Sequence, residues 1–365
     1  MPRLRVAVLA NLKKNAPQVP GLPEDVWADL DAETTPLAIV DALKEGGHDA
    51  YFLEGDLSLY DRLRENRPDI CFNMCEGHFG DSREAQVPAL LEMLRLPYTG
   101  SKILTQALAL DKSMTKRILH WHELPTPDFQ TFEEEDEPLE DPIPFPLFVK
   151  PSREGTGMGV SARSIVYNDA EMREQIRNIN QRYKQPALVE RFIEGREVTV
   201  GVVGNLVGPA ARRIPRDDAR VLRGLRLLPP LEVNMGEYGI EEGGVYTHHL
   251  KADIPEKLEY LCPAPLTPEQ TTELQWLAAA MFRVTGCRDV ARVDFRLDKH
   301  DNDRAYLLEI NPLPGLTPGI SDLVMEAEAA GIPYVDLINM ILEAAIKRYG
   351  QYSLQQMGVP GMAPF

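Results

Sequence analysis

One stretch of the 365-residue chain constrains its fold most, residues 292–311, which read RVDFRLDKHDNDRAYLLEIN. Two strand-like runs flank a polar segment, and the most turn-like pair between them is Asp-Asn at 301–302. This pattern predicts a β-hairpin. Pairing about that turn would set Asp294 directly opposite Glu309, so that two carboxylates face each other on one side of the ladder.

The same side of the hairpin carries further polar groups. By the same count Arg292 faces Asn311, and residues two apart on a strand share a face. Two opposed carboxylates repel each other unless positive charge lies between them. Carboxylate and amide oxygens at this density suit Mg²⁺. We therefore expect Asp294, Glu309 and Asn311 to bind metal.

An edge hairpin with a solvated charged face is the alternative. Two features oppose it. Val293 and either Leu308 or Ile310 would occupy the opposite face, which could belong to the core. The irregular segment NPLPGLTP follows directly at 311–318, and loops of this kind often line binding sites. Both features favour the metal site.

A glycine-rich stretch, FVKPSREGTGMGV at 148–160, is the second candidate site. A Walker A loop is excluded because Lys150 precedes the glycines, and the dinucleotide fingerprint is excluded by the spacing of Gly155, Gly157 and Gly159. A strand lysine beside a flexible loop could hold phosphates through its charge and through free N–H groups. The spacing alone fits a plain glycine turn equally well.

Composition narrows the class of protein. The net charge of −17 argues against a nucleic-acid partner, although one local basic pocket could still bind a small anion. No apolar run approaches the ~18 residues of a membrane span, and the run at 6–10 is too short for a signal peptide. The four cysteines are sparse, which predicts reduced core thiols in a cytoplasmic protein without membrane attachment.

Strand-like and helical stretches alternate over the first hundred residues. The strand candidates are RVAVLAN, DAYFLEGD and PDICFNM, and the helix candidates are TTPLAIVDALKE and EAQVPALLEMLRL. Such alternation predicts an α/β fold with a parallel sheet in a first domain, residues 1–105. The length of the chain suits two or three separate cores.

The remaining elements are predicted from periodicity. PLFVKP is a strand that enters the glycine-rich stretch, and 169–183 is a helix. ALVERFIEG and REVTVGVVGN are predicted to form an antiparallel pair around Gly195. Long loops are expected over 206–262, where Gly, Pro and charge dominate. TPEQTTELQWLAAAMFRVTG and 333–348 are predicted helices.

Six stretches, in this order, together resemble the D-alanine–D-alanine ligase family of the ATP-grasp superfamily: LDKSMTK (110–116), FVKPSREGTGMGV (148–160), LVERFIEGREVTV (188–200), HHLKAD (248–253), CRDVARVDF (287–295) and LLEINPLPGLTP (307–318). The resemblance covers about residues 70 to 345. It implies a Rossmann-like domain over 1–105, followed by an ATP-grasp fold of two α+β subdomains, 106–205 and 206–350. The second subdomain would carry the metal site, 351–365 would be a tail, and a homodimer is implied.

The resemblance also implies roles for individual residues. ATP would be bound by Lys112, Lys150, Glu154, Gly155, Gly157, Gly159, Glu190, Arg191, Phe192, Ile193, Glu197 and Leu308. Among these, Glu190 to Ile193 would form the hinge beside the adenine, and Glu197 would bind the ribose hydroxyls. Asp294, Glu309 and Asn311 would hold two Mg²⁺ ions, which Mn²⁺ can replace. Catalytic roles would fall to Arg292, Lys251, Gly315, Thr156 and Glu33.

The implied reaction joins a carboxylate to an amine through an acyl phosphate, with amino acids as substrates. The chain departs from the family pattern around the amino-acid pocket, where Thr156 replaces a serine, Ala252 a tyrosine, and Glu76 a histidine. Glu33 lacks the glycines that usually precede it and could equally be an exposed helix-start acid. A ligase for a different amino acid or small peptide, and a nucleotide-binding module without catalysis, are the alternatives.

Overall fold

The computed structural model describes residues 3–140, 142–206, 222–236 and 258–356. Within them the strands are β1 (Arg5–Ala10), β2 (Asp49–Glu54), β3 (Ile70–Met74), β4 (Phe129–Phe132), β5 (Leu147–Pro151), β6 (Ile165–Val166), β7 (Ala187–Arg191), β8 (Gly195–Gly204), β9 (Leu225–Leu227), β10 (Leu231–Asn234), β11 (Glu259–Leu261), β12 (Asp289–Asp298) and β13 (Arg304–Asn311). The α-helices are α1 (Thr34–Glu45), α2 (Leu59–Glu65), α3 (Gln86–Met93), α4 (Ile103–Leu110), α5 (Lys112–Trp121), α6 (Asp169–Tyr183), α7 (Pro268–Val284), α8 (Asp322–Ala329) and α9 (Tyr334–Gln356).

The first sheet has the parallel order β2-β1-β3. Its central strand is buried on both faces, as parallel strands between helices are. Val6 and Val8 pack into the core that contains α1, whereas Ala7 and Leu9 pack into the core on the other face. The predicted parallel arrangement of the first domain is confirmed.

The second sheet is antiparallel, in the order β4-β7-β5-β6. Helix α6 covers one face with Met172, Ile176 and Ile179, which recur at helical spacing and are buried. Asn168 begins this helix, because its side chain accepts the N–H of Glu171 at 3.0 Å. The sheet therefore presents its other face to the rest of the molecule.

The third sheet is the largest and has the order β11-β10-β8-β12-β13, with β9 pairing to β8. Helix α7 covers it through a buried stripe that includes Leu274, Leu277 and Met281. A capping box between Thr267 and Gln270 starts this helix. The long strands β8 and β12 pair over ten residues and form the centre of the sheet.

The predicted pairing of ALVERFIEG with REVTVGVVGN is wrong. Strand β7 pairs with β4 and β5, whereas β8 pairs with β12, so the chain crosses between two sheets at 192–194. Gly195 lies at this crossing, where a Cβ would overlap the carbonyl oxygen of Leu297. Alternation of Val198, Val200 and Val202 reports a buried face of β8, and it carries no information about which strand lies beside it.

The prediction of long loops over 206–262 missed three short strands. In the described portion of this range the chain forms three short strands of the third sheet: β9 and β10, which pair with β8, and β11, which pairs with β10. Strands of three or four residues carry too few positions for alternation to be recognised.

The cysteines are unpaired thiols: Cys71, Cys75 and Cys287 are buried and Cys262 is half-buried, so the prediction of reduced thiols holds.

Helix α9 continues beyond the predicted end at residue 348 and packs Ile338 and Leu342 against Ile39 and Leu43 of α1. In the part of the chain that the structure describes, no single helix has both the length and the apolar character needed to cross a membrane. Helix α8 and the first part of α9 meet that test only as a pair, bent by 105°.

Replacement of Gly195 by alanine should destabilise the protein, because the new methyl group would meet backbone that cannot move aside. We expect a loss of about 3 kcal/mol in the free energy of unfolding, measured by urea denaturation. Gly350→Ala is the matched control, since a Cβ there meets nothing within 4 Å and the position is helical and exposed. The control should be neutral or stabilise by up to about 1 kcal/mol. Equal effects at both positions would contradict this account of the crossing.

Candidate active site

The hairpin of β12 and β13 has the predicted register. Asp294 pairs with Glu309, and Arg292 pairs with Asn311. The four side chains therefore lie on one face of the third sheet, as the period of two requires. The two opposed carboxylates stand at the wall of a cavity that both of them line.

The opposite face of the hairpin belongs to the core. Val293 and Ile310 are both fully buried, so Ile310, and not Leu308, is the core residue of the two alternatives. A β-bulge between Asp294 and Phe295 shifts the pairing by one residue. Leu308 is only half-buried and lines the cavity beside the carboxylates.

Each of the two carboxylates has a positive partner. Arg292 donates to both oxygens of Asp294, from Nε at 2.8 Å and Nη2 at 2.9 Å, and Asn311 Nδ2 donates to Oδ2 at 3.0 Å. Glu309 Oε2 lies 3.3 Å from Lys112 Nζ. The expected cost of facing like charges is thus offset by Arg292 and Lys112, which still leave carboxylate oxygens at the cavity wall.

A buried ion triad fixes the other wall. Glu190 of β7 contacts Lys150 of β5 through Oε1 and Lys116 of α5 through Oε2, both at 2.6 Å. Burial alone would raise the pKa of Glu190, but the two ammonium groups outweigh it and lower that pKa. The ammonium group of Lys150 is therefore held in place at the cavity. A lysine that binds an anion needs such support from neighbouring groups.

Lys116 belongs to this site and is absent from the residues we predicted. It lies one helical turn beyond Lys112 on α5, so the two lysine side chains share one face of the helix. Its Nζ also donates to Thr126 Oγ1 at 2.8 Å, and Thr126 donates to the carbonyl of Leu307 on β13 at 2.9 Å. The spacing of the two lysines in LDKSMTK is the signal that could have revealed it.

One cavity joins these groups. Its lining consists of Lys112, Phe148, Lys150, Pro151, Glu154, Gly155, Gly157, Met158, Val160, Glu190, Arg191, Phe192, Ile193, Glu197, Asp294, Arg296, Leu308 and Glu309. The rings of Phe148 and Phe192 stack with centroids 6.1 Å apart. An apolar slot thus adjoins lysines and carboxylates, which suits a ligand with a flat apolar part and an anionic part.

Among the lining residues that were not predicted, Phe148 and Met158 could have been found from the sequence, whereas Arg296 could not. Phe148 lies two residues before Lys150 on β5 and so shares its face. Met158 belongs to the glycine-rich stretch itself. Arg296 pairs in register with Glu197 across β8 and β12, and its Nη2 lies 2.9 Å from the Glu197 carboxylate. This last contact joins two segments a hundred residues apart, which no local pattern reports.

Some predicted residues lie elsewhere. Gly159 is not among the described residues that line the cavity; its N–H donates to Asp25 Oδ2 at 2.9 Å, and a Cβ there would collide with Pro151. Thr156 sits in the same loop with a φ of 52°, the left-handed region that favours glycine. The structure therefore brings Gly155, Gly157, Met158 and Val160 to the cavity, whereas Thr156 and Gly159 are not among the described residues that line it.

Of the predicted catalytic residues, Arg292 lies in the hairpin and Gly315 follows it. Arg292 lies beside Asp294, and Gly315 is exposed in the loop after β13, where a Cβ would approach Ser321 Oγ at 2.8 Å. Glu33 precedes α1, is half-exposed and contacts Lys14. Lys251 lies outside the described residues.

Replacement of Lys116 by methionine should strongly destabilise the fold, because Glu190 loses one of two positive partners in a buried setting. We expect a loss of about 3 kcal/mol in the free energy of unfolding, measured by urea denaturation. Lys347→Met is the matched control, because Lys347 is exposed and pairs with Glu343 on the surface of α9. Such a surface pair contributes about 0–1 kcal/mol. A Lys116 variant as stable as the control would refute the triad.

Comparisons with known proteins show which family the chain resembles over most of its length. A family model described as "D-ala D-ala ligase C-terminus" matches residues 118–218 and 230–343. The chain is 32% identical over 323 residues to the D-alanine–D-alanine ligase of Pelotomaculum thermopropionicum, which covers 86% of this chain and 91% of that protein. It is 33% identical to the D-alanine–D-alanine ligase of Paracidovorax citrulli, with 89% of each chain covered. A Sinorhizobium fredii protein, described as "Uncharacterized protein y4sG", is 35% identical over 86% of this chain and 87% of its own length.

The solved structures show the fold. The D-alanine–D-alanine ligase of Bacillus anthracis, complexed with ATP, superposes with a TM-score of 0.69 at 22% identity, covering 95% of this chain and 99% of that one. The α/β fold with an ATP-grasp part, predicted above, is confirmed. Because the family model spans more than half of the chain and relatives exceed 30% identity over most of it, the chain belongs to the D-alanine–D-alanine ligase family.

Proposed function

We propose that this protein is an ATP-dependent ligase that joins the carboxylate of one amino acid to the amine of another, with D-alanine as the first candidate for both. One observation carries the proposal. A single cavity brings together Lys112, Lys150, the opposed pair of Asp294 and Glu309, and part of the loop at 153–160, which we call the glycine loop. Membership of the D-alanine–D-alanine ligase family supports the substrate class.

ATP fits the cavity chemically. The adenine would enter the apolar slot of Phe148 and Phe192, next to the hinge segment 190–193. The phosphates would extend toward Lys112 and Lys150, below Gly155 and Gly157 of the loop. Glu197, held by Arg296, would accept the ribose hydroxyls. The ATP complex of the Bacillus anthracis ligase supports this choice of nucleotide.

Mg²⁺, or Mn²⁺ in its place, fits the donor set of the hairpin. Asp294 and Glu309 supply hard oxygen ligands from directly opposed positions, and Asn311 adds an amide. Among the residues that the structure describes, no three His, Cys, Asp or Glu side chains cluster as a metal site. The remaining ligands would be phosphate oxygens and water, as is usual for Mg²⁺. Two bound ions would neutralise phosphate charge during the reaction.

Residues of this chain are proposed to serve both steps of the reaction. The substrate carboxylate attacks the γ-phosphate, which yields an acyl phosphate and ADP. The amine then attacks the acyl carbon, and phosphate leaves. Lys112 and Lys150 would stabilise the charge on the transferring group, and Arg292 with the N–H of Gly315 would stabilise the oxyanion. The glycine loop, including Thr156, would keep water from the acyl phosphate. Lys251 is proposed to reach the γ-phosphate.

A second candidate is the same reaction with a different amino acid or a small peptide. Asp322 favours it, because its Oδ2 lies 3.5 Å from Arg292 Nη1 and would compete with an anionic substrate group for that guanidinium. Glu33, which contacts Lys14, is proposed as a substrate ligand by resemblance alone. Glu76, where the family has histidine, is a further difference in the amino-acid pocket.

The larger organisation also remains a proposal. We propose a Rossmann-like domain over 1–105, an ATP-grasp part over 106–350 and a tail after it. The boundary between the two subdomains is best drawn at the crossing of 192–194 rather than at 205, because β8 pairs within the third sheet. A cytoplasmic homodimer is proposed from the family resemblance.

The purified protein should release ADP and phosphate from ATP and Mg²⁺ only when the correct amino acid is added. A panel of D- and L-amino acids, each read by phosphate release and by mass spectrometry of the product, identifies the substrate. D-Alanine should give D-alanyl-D-alanine, and L-alanine is the matched control. Tight ATP binding without release by any member of the panel, alone or in pairs, would favour a binding module.

Replacement of Glu309 by glutamine should remove most turnover while the protein stays folded. The change removes the charge of one metal ligand and the partner of Lys112, and we expect kcat to fall about 10²- to 10³-fold. Circular dichroism and thermal melting should remain close to those of the unmodified protein. Glu343→Gln, at a half-buried position of α9 that pairs with Lys347 and is not among the described residues that line the cavity, is the control and should retain full activity. Nearly intact activity of the Glu309 variant would disprove the metal assignment.

A further inference from the structure

The glycine loop is tied to the N-terminal part of the chain by one arginine that the proposed chemistry does not use. Arg83 Nη2 lies 2.9 Å from Asp29 Oδ2 and 2.9 Å from Glu154 Oε2, and Nη1 donates to the carbonyl of Arg153 at 3.1 Å. Only a tenth of its side chain is exposed. One guanidinium thus joins two segments that are more than 120 residues apart in sequence.

The backbone of Arg83 is held firmly. It begins a short 3-10 turn, Arg83–Ala85, and its carbonyl approaches Gly77 so closely that a Cβ on Gly77 would lie 2.6 Å away. Gly77 has a φ of 75° and donates its N–H to Asn11 Oδ1 at 2.9 Å, directly after β1. Arg83 is therefore anchored to the end of the first sheet and reaches from there into the loop.

Its partner in the loop, Glu154, lines the cavity. The Glu154 carbonyl accepts Lys112 Nζ, and its second carboxylate oxygen accepts Gln185 Nε2 at 2.7 Å. A carboxylate at this place would repel the phosphates of a bound nucleotide if nothing neutralised it. Arg83 supplies that positive charge from outside the cavity, since it is not among the described residues that line it.

We propose that Arg83 is a positioning residue. By contacting both Asp29 of the N-terminal part and Glu154, it holds the glycine loop closed over the nucleotide. The proposal rests on the proposed function in so far as the cavity binds ATP. Loss of Arg83 would leave a buried carboxylate without its main cation and would free the loop at Arg153 and Glu154. Water would then reach the acyl phosphate, and hydrolysis would compete with ligation.

The test compares Arg83→Met with Arg83→Lys, Glu154→Gln and the double variant Arg83→Met/Glu154→Gln. Asp81→Asn is the matched control, because Asp81 is exposed and pairs with Arg153 of the same loop. Three quantities are measured: amide hydrogen exchange of residues 153–160 in the protein alone, the KM for ATP, and the phosphate released per ligated product.

Arg83→Met should speed exchange of the loop and raise the KM for ATP about tenfold, in line with the loss of charged hydrogen bonds. It should also release several phosphates per product, against one in the unmodified protein. Glu154→Gln in the same chain should recover part of the KM and of the coupling, because it removes the unpaired carboxylate. A merely structural role for Arg83 would give no such recovery. Asp81→Asn should stay within twofold of the unmodified protein in all three measurements.

The proposal fails if Arg83→Met leaves loop exchange, KM and coupling within twofold, or if the double variant is no better than the single one. Should Arg83→Met not fold, the Arg83→Lys variant and the double variant decide by the same readouts. Because loop exchange is measured without nucleotide, it reports on Arg83 even if the unmodified protein ligates no amino acid. Failure of the proposed function and failure of this inference are thereby distinguished.

Discussion

The register between β12 and β13 is the constraint on which the site depends. A slip of either strand by one residue would move its carboxylate, Asp294 or Glu309, to the opposite face and turn its apolar neighbour, Val293 or Ile310, out of the core. Burial of those two apolar side chains therefore fixes the positions of the carboxylates. In this hairpin, packing of the core and placement of the proposed metal ligands depend on the same register. The bulge after Asp294 adds Leu308 to the cavity wall.

The opposite wall depends on charge in place of apolar packing. Glu190 is buried between Lys116 and Lys150, which come from a helix and from a neighbouring strand. Burial of an unpaired carboxylate would cost folding free energy. The two ammonium groups offset that cost, and the carboxylate in turn holds both lysine side chains in place. Lys150 is thus positioned before any ligand arrives, so the cavity meets an anion with a preorganised positive group. The loop above it is held by Arg83, so all three sheets contribute to one enclosure.

Features set by local periodicity could be predicted from the sequence, and features set by distant partners could not. The hairpin register followed from the period of two and one turn, and helix α6 followed from helical spacing. The pairing of β8 was wrong because alternating valines indicate burial without naming a neighbour. Arg83 and Arg296 were missed because their partners lie about 70 and 100 residues away, whereas the spacing of Lys112 and Lys116 was a local signal that went unused. The glycine loop was ambiguous alone and acquired meaning only from the groups around it.

The central claim is that the opposed carboxylates hold metal beside the phosphates of ATP. Crystals grown with Mn²⁺ and a non-hydrolysable ATP analogue, measured at the manganese absorption edge, test it most directly. The account predicts anomalous peaks within about 2.0–2.4 Å of the carboxylates of Asp294 and Glu309, next to phosphates that contact Lys112 and Lys150. An analogue bound in the cavity without manganese at this pair, or bound outside the cavity, would contradict it.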